Sequence, residues 1–418
     1  MEHSRLYKKS ILAVALTLAS QHAVASGFQL DAQSATGLGR AFAGDGVIAD
    51  NASVMAKNPA AMALFKSSQF STGVSIVNTS IHIKDVQFHP SAGSSENVDS
   101  AHNGEGTPVP NIYYVYRLND TWAFGAGVYS NFGIKNDFPD NWGRTSPSGP
   151  SQFGGKTEVK SIDYALTTSY RLNEHFSFGA GLDFIQGDGK LHRYAGNGPT
   201  VLTDVDAKGT GIGWNAGMVY EVDKNTRFGL DYHYSPEITA KGTVSVLEFN
   251  HYDNTKLALP SFAEFSGYHK FQDSKFALHY SIQWTDWSVF KRLNANDSSI
   301  NGTNFTLKEY QWKDSWHYAI GGTYYLSKAW TLRAGYMYDT SAQDQLTSIS
   351  VPDSDRQWFT TGVSYHFSKH HTIDFGIAYV MGKDTNVSES ETISEYPKIT
   401  AVTNADAVVT GVQYSYSF

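Results

Sequence analysis

The sequence lacks three features that would each indicate a different class of protein. It has no cysteine, which excludes the disulfide framework common in small secreted domains. It has no apolar run of the roughly 20 residues that a membrane-spanning helix needs; the run from Ile11 to Ala19 has nine residues. It also lacks a basic excess, with 32 Lys and Arg against 40 Asp and Glu. We therefore expect no nucleic-acid partner, because phosphates call for a basic surface.

The N-terminus has the composition of an export signal. Three bases among the first nine residues precede the apolar run, and Ala23-Val24-Ala25 matches the A-x-A pattern after which signal peptidase cleaves. We therefore predict a signal peptide over residues 1–25 and a mature chain that begins at Ser26. Its removal takes away one acid and three bases, which leaves 29 basic residues against 39 acidic ones.

What the chain does contain is a repeated alternation of apolar and polar residues, the period of a β-strand with two different faces. One clear example has apolar side chains at every second position, namely Phe176, Phe178, Ala180, Leu182 and Phe184. Similar segments predict fourteen strands: 69–84, 108–118, 121–132, 159–171, 175–190, 210–222, 225–236, 258–270, 275–290, 312–326, 329–340, 355–367, 370–382 and 404–418.

The connections between these strands alternate between very short and long. Tight turns of two or three residues, such as Asn119-Asp120 and Ser327-Lys328, alternate with polar loops at 85–107, 133–158, 191–209, 237–257, 291–311, 341–354 and 383–403. Short turns at one end and long loops at the other are typical of a bacterial outer-membrane β-barrel with both termini in the periplasm. A soluble β-sandwich is the alternative, but the strands are longer than usual and their apolar faces are rich in aromatic residues. We therefore predict an all-β, fourteen-stranded antiparallel transmembrane barrel over residues 68–418.

Residues 26–67 do not follow the strand pattern. The first part is rich in glycine, and Ala52 to Phe65 is rich in Ala, Met and Leu and could be helical. A fourteen-stranded barrel is wider than the eight-stranded type that side chains fill. We expect this segment either to plug the lumen as a hatch or to hang below the barrel.

Several motifs, spread over the mature chain, resemble those of the FadL family of long-chain fatty acid outer-membrane transporters. They are Gly27-Phe28-Gln29-Leu30, Gly37-Leu38-Gly39-Arg40-Ala41, Gly46-Val47-Ile48-Ala49-Asp50, Asn58-Pro59-Ala60, Ser130-Asn131-Phe132-Gly133, Gly213-Trp214-Asn215-Ala216-Gly217 with Asp223-Lys224-Asn225, and Val351-Pro352-Asp353-Ser354-Asp355-Arg356. The resemblance implies a fourteen-stranded barrel whose N-terminal hatch lies inside the lumen.

The resemblance also implies roles for particular residues. Asn58, Pro59 and Ala60 match the hatch motif, and Asn131, Phe132 and Gly133 match a kink in the third strand that opens the wall sideways to the membrane. A glycine suits such a bend, although Gly133 could equally end a strand at a loop.

Ligand contacts are implied in the same way. Arg193 and Lys313 match the pair that holds the ligand carboxylate, which is chemically reasonable because a desolvated carboxylate needs charged donors. Both could instead be solvated residues at the base of loops. Candidates for the acyl-chain pocket, which could equally pack the hatch against the wall, are Phe28, Leu30, Phe42 and Val47.

Three functional hypotheses follow for this barrel, which we expect in the outer membrane of a Gram-negative bacterium. The first is passive, hatch-gated lateral diffusion of long-chain fatty acids or similar hydrophobic molecules. The others are an aromatic-hydrocarbon channel of the same family and a general diffusion porin. The loop at 191–209 is shorter than the best-known members have, so an outer capture groove could be absent.

The sequence gives no sign of catalysis or of a cofactor. It has no Gly-x-Ser-x-Gly elbow, no phosphate-loop or dinucleotide fingerprint, and no histidine spacing typical of a metal site. We expect a protein that is not an enzyme, without cofactor or metal, that works as a monomer. Its other expected contacts are outer-membrane lipid, lipopolysaccharide and detergent.

Overall fold

The computed structural model describes residues 27–144, 149–196, 200–300, 302–390 and 397–418; the predicted signal peptide lies outside these ranges. Twenty-two strands occur in the described part: β1 Gln69–His89, β2 Glu96–Asn97, β3 Ala101–Asn103, β4 Gly106–Arg117, β5 Trp122–Tyr129, β6 Gly133–Asp137, β7 Lys156–Arg171, β8 Phe176–Tyr194, β9 Val201–Glu221, β10 Thr226–Tyr234, β11 Glu237–Val246, β12 Asn250–Ala258, β13 Phe262–Lys270, β14 Phe276–Thr285, β15 Arg292–Ser298, β16 Phe305–Glu309, β17 Ser315–Tyr324, β18 Trp330–Asp339, β19 Arg356–His366, β20 His371–Gly382, β21 Thr385–Ser390 and β22 Lys398–Ser417.

Fourteen of these strands form a closed antiparallel barrel, as the alternation predicts. They are β1, β4, β5, β7, β8, β9, β10, β13, β14, β17, β18, β19, β20 and β22, each paired with the next, and β22 closes the ring on β1 from Ser417 opposite Gln69 to Lys398 opposite His89. Closure leaves no free sheet edge, which a barrel in lipid requires. Because the long connections of such barrels face outward from the cell, we call that end extracellular and the short-turn end periplasmic.

The outer surface of the barrel carries the apolar face of the alternating strands. Leu166, Leu182 and Ile212, on three adjacent strands, are each more than 60% exposed, which would be costly in water but suits contact with lipid. In the described residues, no helix combines the length and the hydropathy needed to cross a membrane.

The long connections differ from the sequence prediction, because much of what was expected to be polar loop is β-structure. Residues 237–257 and 291–311 form the hairpins β11–β12 and β15–β16, which join edge to edge. The loop predicted at 191–209 is mostly strand, since β8 continues to Tyr194 and β9 begins at Val201. The prediction of loops was wrong here because it rested on polar composition. Above the membrane, strands have no lipid-facing side and need no alternation of apolar and polar residues.

Residues 27–67 fill the lumen. They contain helix α1, Ala35–Leu38, and two 3-10 helices, Ala52–Ala56 and Pro59–Leu64, so the helical character expected for 52–65 is confirmed in 3-10 form. All residues from 27 to 48 are buried. We call residues 27–67 the hatch.

The barrel wall makes room for the hatch at inward-facing glycines. A Cβ atom at Gly335 would overlap the backbone of Arg40 and Ala41, and one at Gly179 would overlap the backbone of Pro59 and Ala60. Larger residues at these wall positions would push the hatch away from the strands. The close approach explains why glycine interrupts strands that otherwise favour β-branched and aromatic residues.

Candidate functional site

The Asn58-Pro59-Ala60 motif begins a short 3-10 helix and attaches it to the wall. The Asn58 side chain accepts a hydrogen bond from the Ala60 amide at 3.0 Å and donates one to the carbonyl oxygen of Met218 on β9 at 3.2 Å. Pro59 occupies the first helical position, where a missing amide hydrogen costs nothing. The motif therefore combines a helix cap with a tether between hatch and barrel.

The third barrel strand is broken where the sequence motif Asn131-Phe132-Gly133 lies. Between β5 and β6 the main-chain ladder to β7 is interrupted, and side chains of β7 replace part of it. The Asn131 amide donates to the Asp163 carboxylate at 3.3 Å, and the Phe132 amide donates to the Ser161 hydroxyl at 3.2 Å. These acceptors satisfy main-chain groups that would be costly to leave unpaired inside the barrel wall.

The hatch joins the strand at this break. The Leu30 amide donates to the Asn131 carbonyl at 2.7 Å, and the Gly133 amide donates to the Phe28 carbonyl at 2.8 Å. Gln29 and Phe132 form an isolated antiparallel bridge between these bonds. Residues 28–30 of the hatch therefore pair with the third barrel strand at the point where its main-chain pairing with β7 is interrupted.

Phe28 lies within a cluster of aromatic side chains. Its ring centroid is 4.6 Å from that of Trp287, 5.2 Å from Phe290, 5.8 Å from Trp312 and 6.2 Å from Phe132. The sequence analysis named Phe28 and Phe132 as candidates but not the other three, because it placed Trp287 and Phe290 in the predicted strand 275–290 and Trp312 in the predicted strand 312–326. We call these five residues the aromatic cluster.

An apolar cavity adjoins the aromatic cluster at Phe28 and Phe290. Aliphatic side chains from the wall and the extracellular hairpins line much of it: Ile134, Val159, Leu191, Val205, Leu257, Leu293 and Val351. Almost all of its surface is hydrocarbon, which favours an apolar group over a polar one. We call it the apolar cavity.

A second cavity, partly open to solvent, contains the charged groups. Arg193, Lys308 and Glu389 line it, and it shares Leu191 and Tyr310 with the apolar cavity. We call it the charged cavity. The two cavities together therefore have an ionic end and an apolar end.

Arg193 is buried in the charged cavity without an acidic partner. Its guanidinium donates to the carbonyls of Lys156 and His192, both at 2.9 Å, and to the Thr157 hydroxyl at 2.7 Å. No carboxylate of the described residues lies within ion-pair distance of it. A buried cation is costly without a counter-charge, so this end of the cavity favours an anion.

Lys308 is the second cation of the charged cavity, and it forms an ion pair with the buried Glu389. Burial and the nearby Arg193 charge lower the pKa of Lys308, whereas the Glu389 carboxylate in contact with it favours the charged form. Two cations and one carboxylate leave a net positive charge. One ligand carboxylate would balance it.

Lys313, the lysine that the family resemblance pairs with Arg193, lies outside the charged cavity. Its side chain is 53% exposed and its ammonium is 3.6 Å from the Asp344 carboxylate. It lines neither cavity, whereas Arg193 lines the charged one. Lys308 lies beside Arg193 because β16 packs against the extracellular ends of β8 and β9, an arrangement that no local pattern specifies.

The remaining pocket candidates pack within the hatch and against the wall. Leu30 and Phe42 belong to one buried cluster, in which the Phe42 ring lies 6.3 Å from Trp358. Val47 belongs to another cluster together with Met55 and Met62. Of the four candidates, Phe28 lines the apolar cavity and these three do not.

Ion pairs between buried arginines and the partly exposed Asp50 connect the hatch to the barrel. Arg40 contacts Asp45 at 2.6 Å and Asp50 at 2.9 Å, and Arg333 of β18 contacts Asp50 at 3.2 Å. Asp50 therefore bridges one arginine of the hatch and one of the wall. In the ranges that the structure describes, no group of three or more His, Cys, Asp or Glu side chains could hold a metal ion.

Comparison with known proteins agrees with the fold and the motifs. Residues 16–418 match a family model described as "Outer membrane protein transport protein (OMPP1/FadL/TodX)". Outer membrane protein P1 of Haemophilus influenzae is 34% identical over 99% of both chains. The long-chain fatty acid transport protein of Escherichia coli K12 is 33% identical over 93% of this chain and 95% of its own.

A solved structure supports the same architecture. The crystal structure of a Pseudomonas aeruginosa FadL homologue superposes with a TM-score of 0.81, covers 94% of this chain and 100% of its own, and is 22% identical. At that identity the likeness concerns the fold.

Proposed function

The chain belongs to the OMPP1/FadL/TodX family of outer membrane transport proteins, and we propose that it carries long-chain fatty acids or similar hydrophobic carboxylates inward. Its relatives place it in the outer membrane of a Gram-negative bacterium. Around the barrel, the exposed apolar side chains would contact outer-membrane lipid, lipopolysaccharide or, after extraction, detergent.

The observation that carries the proposal is that the charged cavity and the apolar cavity lie side by side and share Leu191 and Tyr310 as lining residues. A fatty acid has the matching polarity: its carboxylate would bind at Arg193 and Lys308, and its chain would extend past Leu191 toward Phe28. Charge-assisted hydrogen bonds are the strong ones in a water-poor site. The carboxylate would give Arg193 the counter-charge that it lacks.

The proposed route leaves the barrel sideways. Ligand in the apolar cavity lies next to Phe28, whose main chain is bonded to the third-strand break. Movement of the hatch would release that bond and open the wall at Asn131, Phe132 and Gly133 toward the membrane. Transport would be passive, driven by the ligand gradient and by removal of ligand downstream, and one chain would suffice.

An aromatic hydrocarbon is the second candidate ligand, because the aromatic cluster and the apolar cavity could hold a neutral ring. The two candidates differ in their need for charge. A hydrocarbon gains nothing from Arg193 and Lys308, whereas a carboxylate depends on them. Uptake of toluene by the double alanine variant, compared with uptake of oleate, therefore separates them.

The first experiment measures uptake of labelled oleate by cells that lack their own fatty acid transporter, with and without this protein. Liposome swelling with a small sugar is measured in parallel. Oleate uptake without sugar permeability would support the proposal, whereas sugar permeability without oleate uptake would overturn it and indicate a general porin.

A further inference from the structure

Two histidines stack face to face at the extracellular end of the outer wall. His82 on β1 lies directly opposite His102 on the short strand β3. Their ring centroids are 4.2 Å apart and the ring planes differ by 2°. Strand β3 lies against β1 above the point where β4 ends, so the pair joins the first extracellular connection to the barrel.

The two imidazoles direct the same atom toward one point. Each Nε2 lies 3.1 Å from the hydroxyl oxygen of Ser80, which precedes His82 by two residues on the same face of β1. A hydroxyl has a single proton, so it can donate to one ring only and must accept from the other. Both Nε2 atoms therefore lie beside the same hydroxyl on the outer face of the barrel.

The surroundings of the pair are polar and partly negative. On the neighbouring strand β22, Asp406 lies opposite Ser80 and Asn404 lies opposite His82. Lys84 is the nearest cation along β1 and is exposed. His102 is exposed as well and His82 is half-buried, so an ion from the medium can reach both rings.

We propose that His82 and His102 bind one divalent late transition-metal ion, such as Zn²⁺ or Cu²⁺, through their Nε2 atoms, each ring turning out of the stacked arrangement so that its in-plane lone pair points at the ion. Imidazole is a preferred ligand of these ions, and an unperturbed histidine is mostly neutral at pH 7.5, as ligation requires. Water completes the coordination shell, so binding is weaker than in a closed four-ligand site. The ion links β3 to β1 and holds the first extracellular connection against the wall.

The test uses the mature protein in detergent, without a polyhistidine tag and with bound metal removed by a chelator. Binding of Zn²⁺ is then measured by titration calorimetry. His82→Ala and His102→Ala should each remove one equivalent of Zn²⁺ or weaken it at least tenfold. Ser80→Ala and His89→Ala are the matched controls and should retain that equivalent. Ser80→Ala removes the bridging hydroxyl but leaves both rings, and His89 is a nearby histidine outside the pair.

A second measurement needs no variant and so does not depend on folding of the mutants. With one equivalent of Cu²⁺ bound to the wild-type protein, the electron paramagnetic resonance spectrum should show hyperfine splitting from two imidazole nitrogens. Splitting from fewer than two nitrogens, or Zn²⁺ binding that is the same in His82→Ala, His102→Ala and wild type, would overturn the proposal.

Discussion

The carbonyl oxygen of Phe28 accepts a hydrogen bond from the Gly133 amide at 2.8 Å. Through this bond the hatch completes the main-chain pairing that the third barrel strand does not complete by itself. An interruption in a barrel wall would leave unpaired polar groups facing lipid, which is costly. The position of the hatch and the integrity of the wall at this point are therefore linked, and both can be tested by mutation.

Truncation of Phe28 should loosen the hatch. Phe28→Ala keeps the main-chain bond but removes a ring that packs against Trp287, Phe290 and Trp312, and loss of a buried phenylalanine costs about 3–5 kcal/mol. We expect higher ion conductance in planar bilayers, because the closed position of the hatch loses stability. Phe249→Ala, at an exposed position on an extracellular hairpin, is the control; equal conductance in the two variants would contradict a closing role for Phe28.

Arg193 and Lys308 should determine affinity for a carboxylate. Hydrogen bonds to charged groups contribute about 1.5–3 kcal/mol each, so we expect Arg193→Ala and Lys308→Ala each to weaken oleate binding by roughly 10- to 100-fold, at 1.4 kcal/mol per factor of ten. Binding of the uncharged methyl ester should change little. The measurement is the Kd of a fluorescent fatty acid in detergent.

Lys313→Ala tests whether Lys313, as the family resemblance implies, holds the ligand carboxylate. Its exposed ammonium contacts Asp344, and exposed ion pairs contribute little, so oleate affinity should stay within about a factor of two of wild type. A loss at Lys313 that equals the loss at Lys308 would show that ligand binds outside the charged cavity.

Asp50 should stabilise the closed hatch, because it bridges Arg40 of the hatch and Arg333 of the wall. Asp50→Asn removes the only ion-pair partner of Arg333 in the described residues, while Arg40 keeps its ion pair with Asp45. Loss of one partner of a buried ion pair costs about 3–5 kcal/mol, and the partial exposure of Asp50 places the expected effect at the lower end. Ala41 and Phe42, next to Arg40, have φ of 55° and 58°, a strained conformation that these ion pairs help to hold. We expect more frequent open events in single-channel recordings, with Asp384→Asn, on an extracellular connection, as the control.

The fold could be predicted from the sequence because each membrane-crossing strand has one face toward lipid and one toward the lumen, and its residues alternate accordingly. Leu166, Leu182 and Ile212 face lipid and their neighbours face the lumen, so alternation identifies every membrane-crossing strand. Above the membrane that constraint disappears, and hairpins such as β11–β12 were predicted as loops. Lys308 was missed for the same reason: its place beside Arg193 depends on how two hairpins pack, and Lys313 matched the sequence pattern better.

Variants at the break in the third barrel strand, near Asn131, test most directly whether ligand leaves the barrel through its wall. Asp163 and Ser161 of β7 accept hydrogen bonds from the main-chain amides of Asn131 and Phe132. Asp163→Ala removes one acceptor and costs about 1–3 kcal/mol if the Asn131 amide stays unpaired. The chain can avoid that cost by extending the regular ladder through the break, which would close the opening. We therefore expect oleate uptake to fall by roughly 5- to 100-fold, at 1.4 kcal/mol per factor of ten.

Two variants on the same strand separate this mechanism from general damage to the barrel. Asp163→Asn keeps a carbonyl oxygen that can accept from the Asn131 amide and should retain most uptake. Ser169→Ala alters a buried inward position of β7 whose hydroxyl has no hydrogen-bond partner in the described structure, so uptake should be unchanged. If Asp163→Ala transports like Ser169→Ala while hydrogen exchange shows a closed ladder at 130–133, ligand does not leave through this part of the wall.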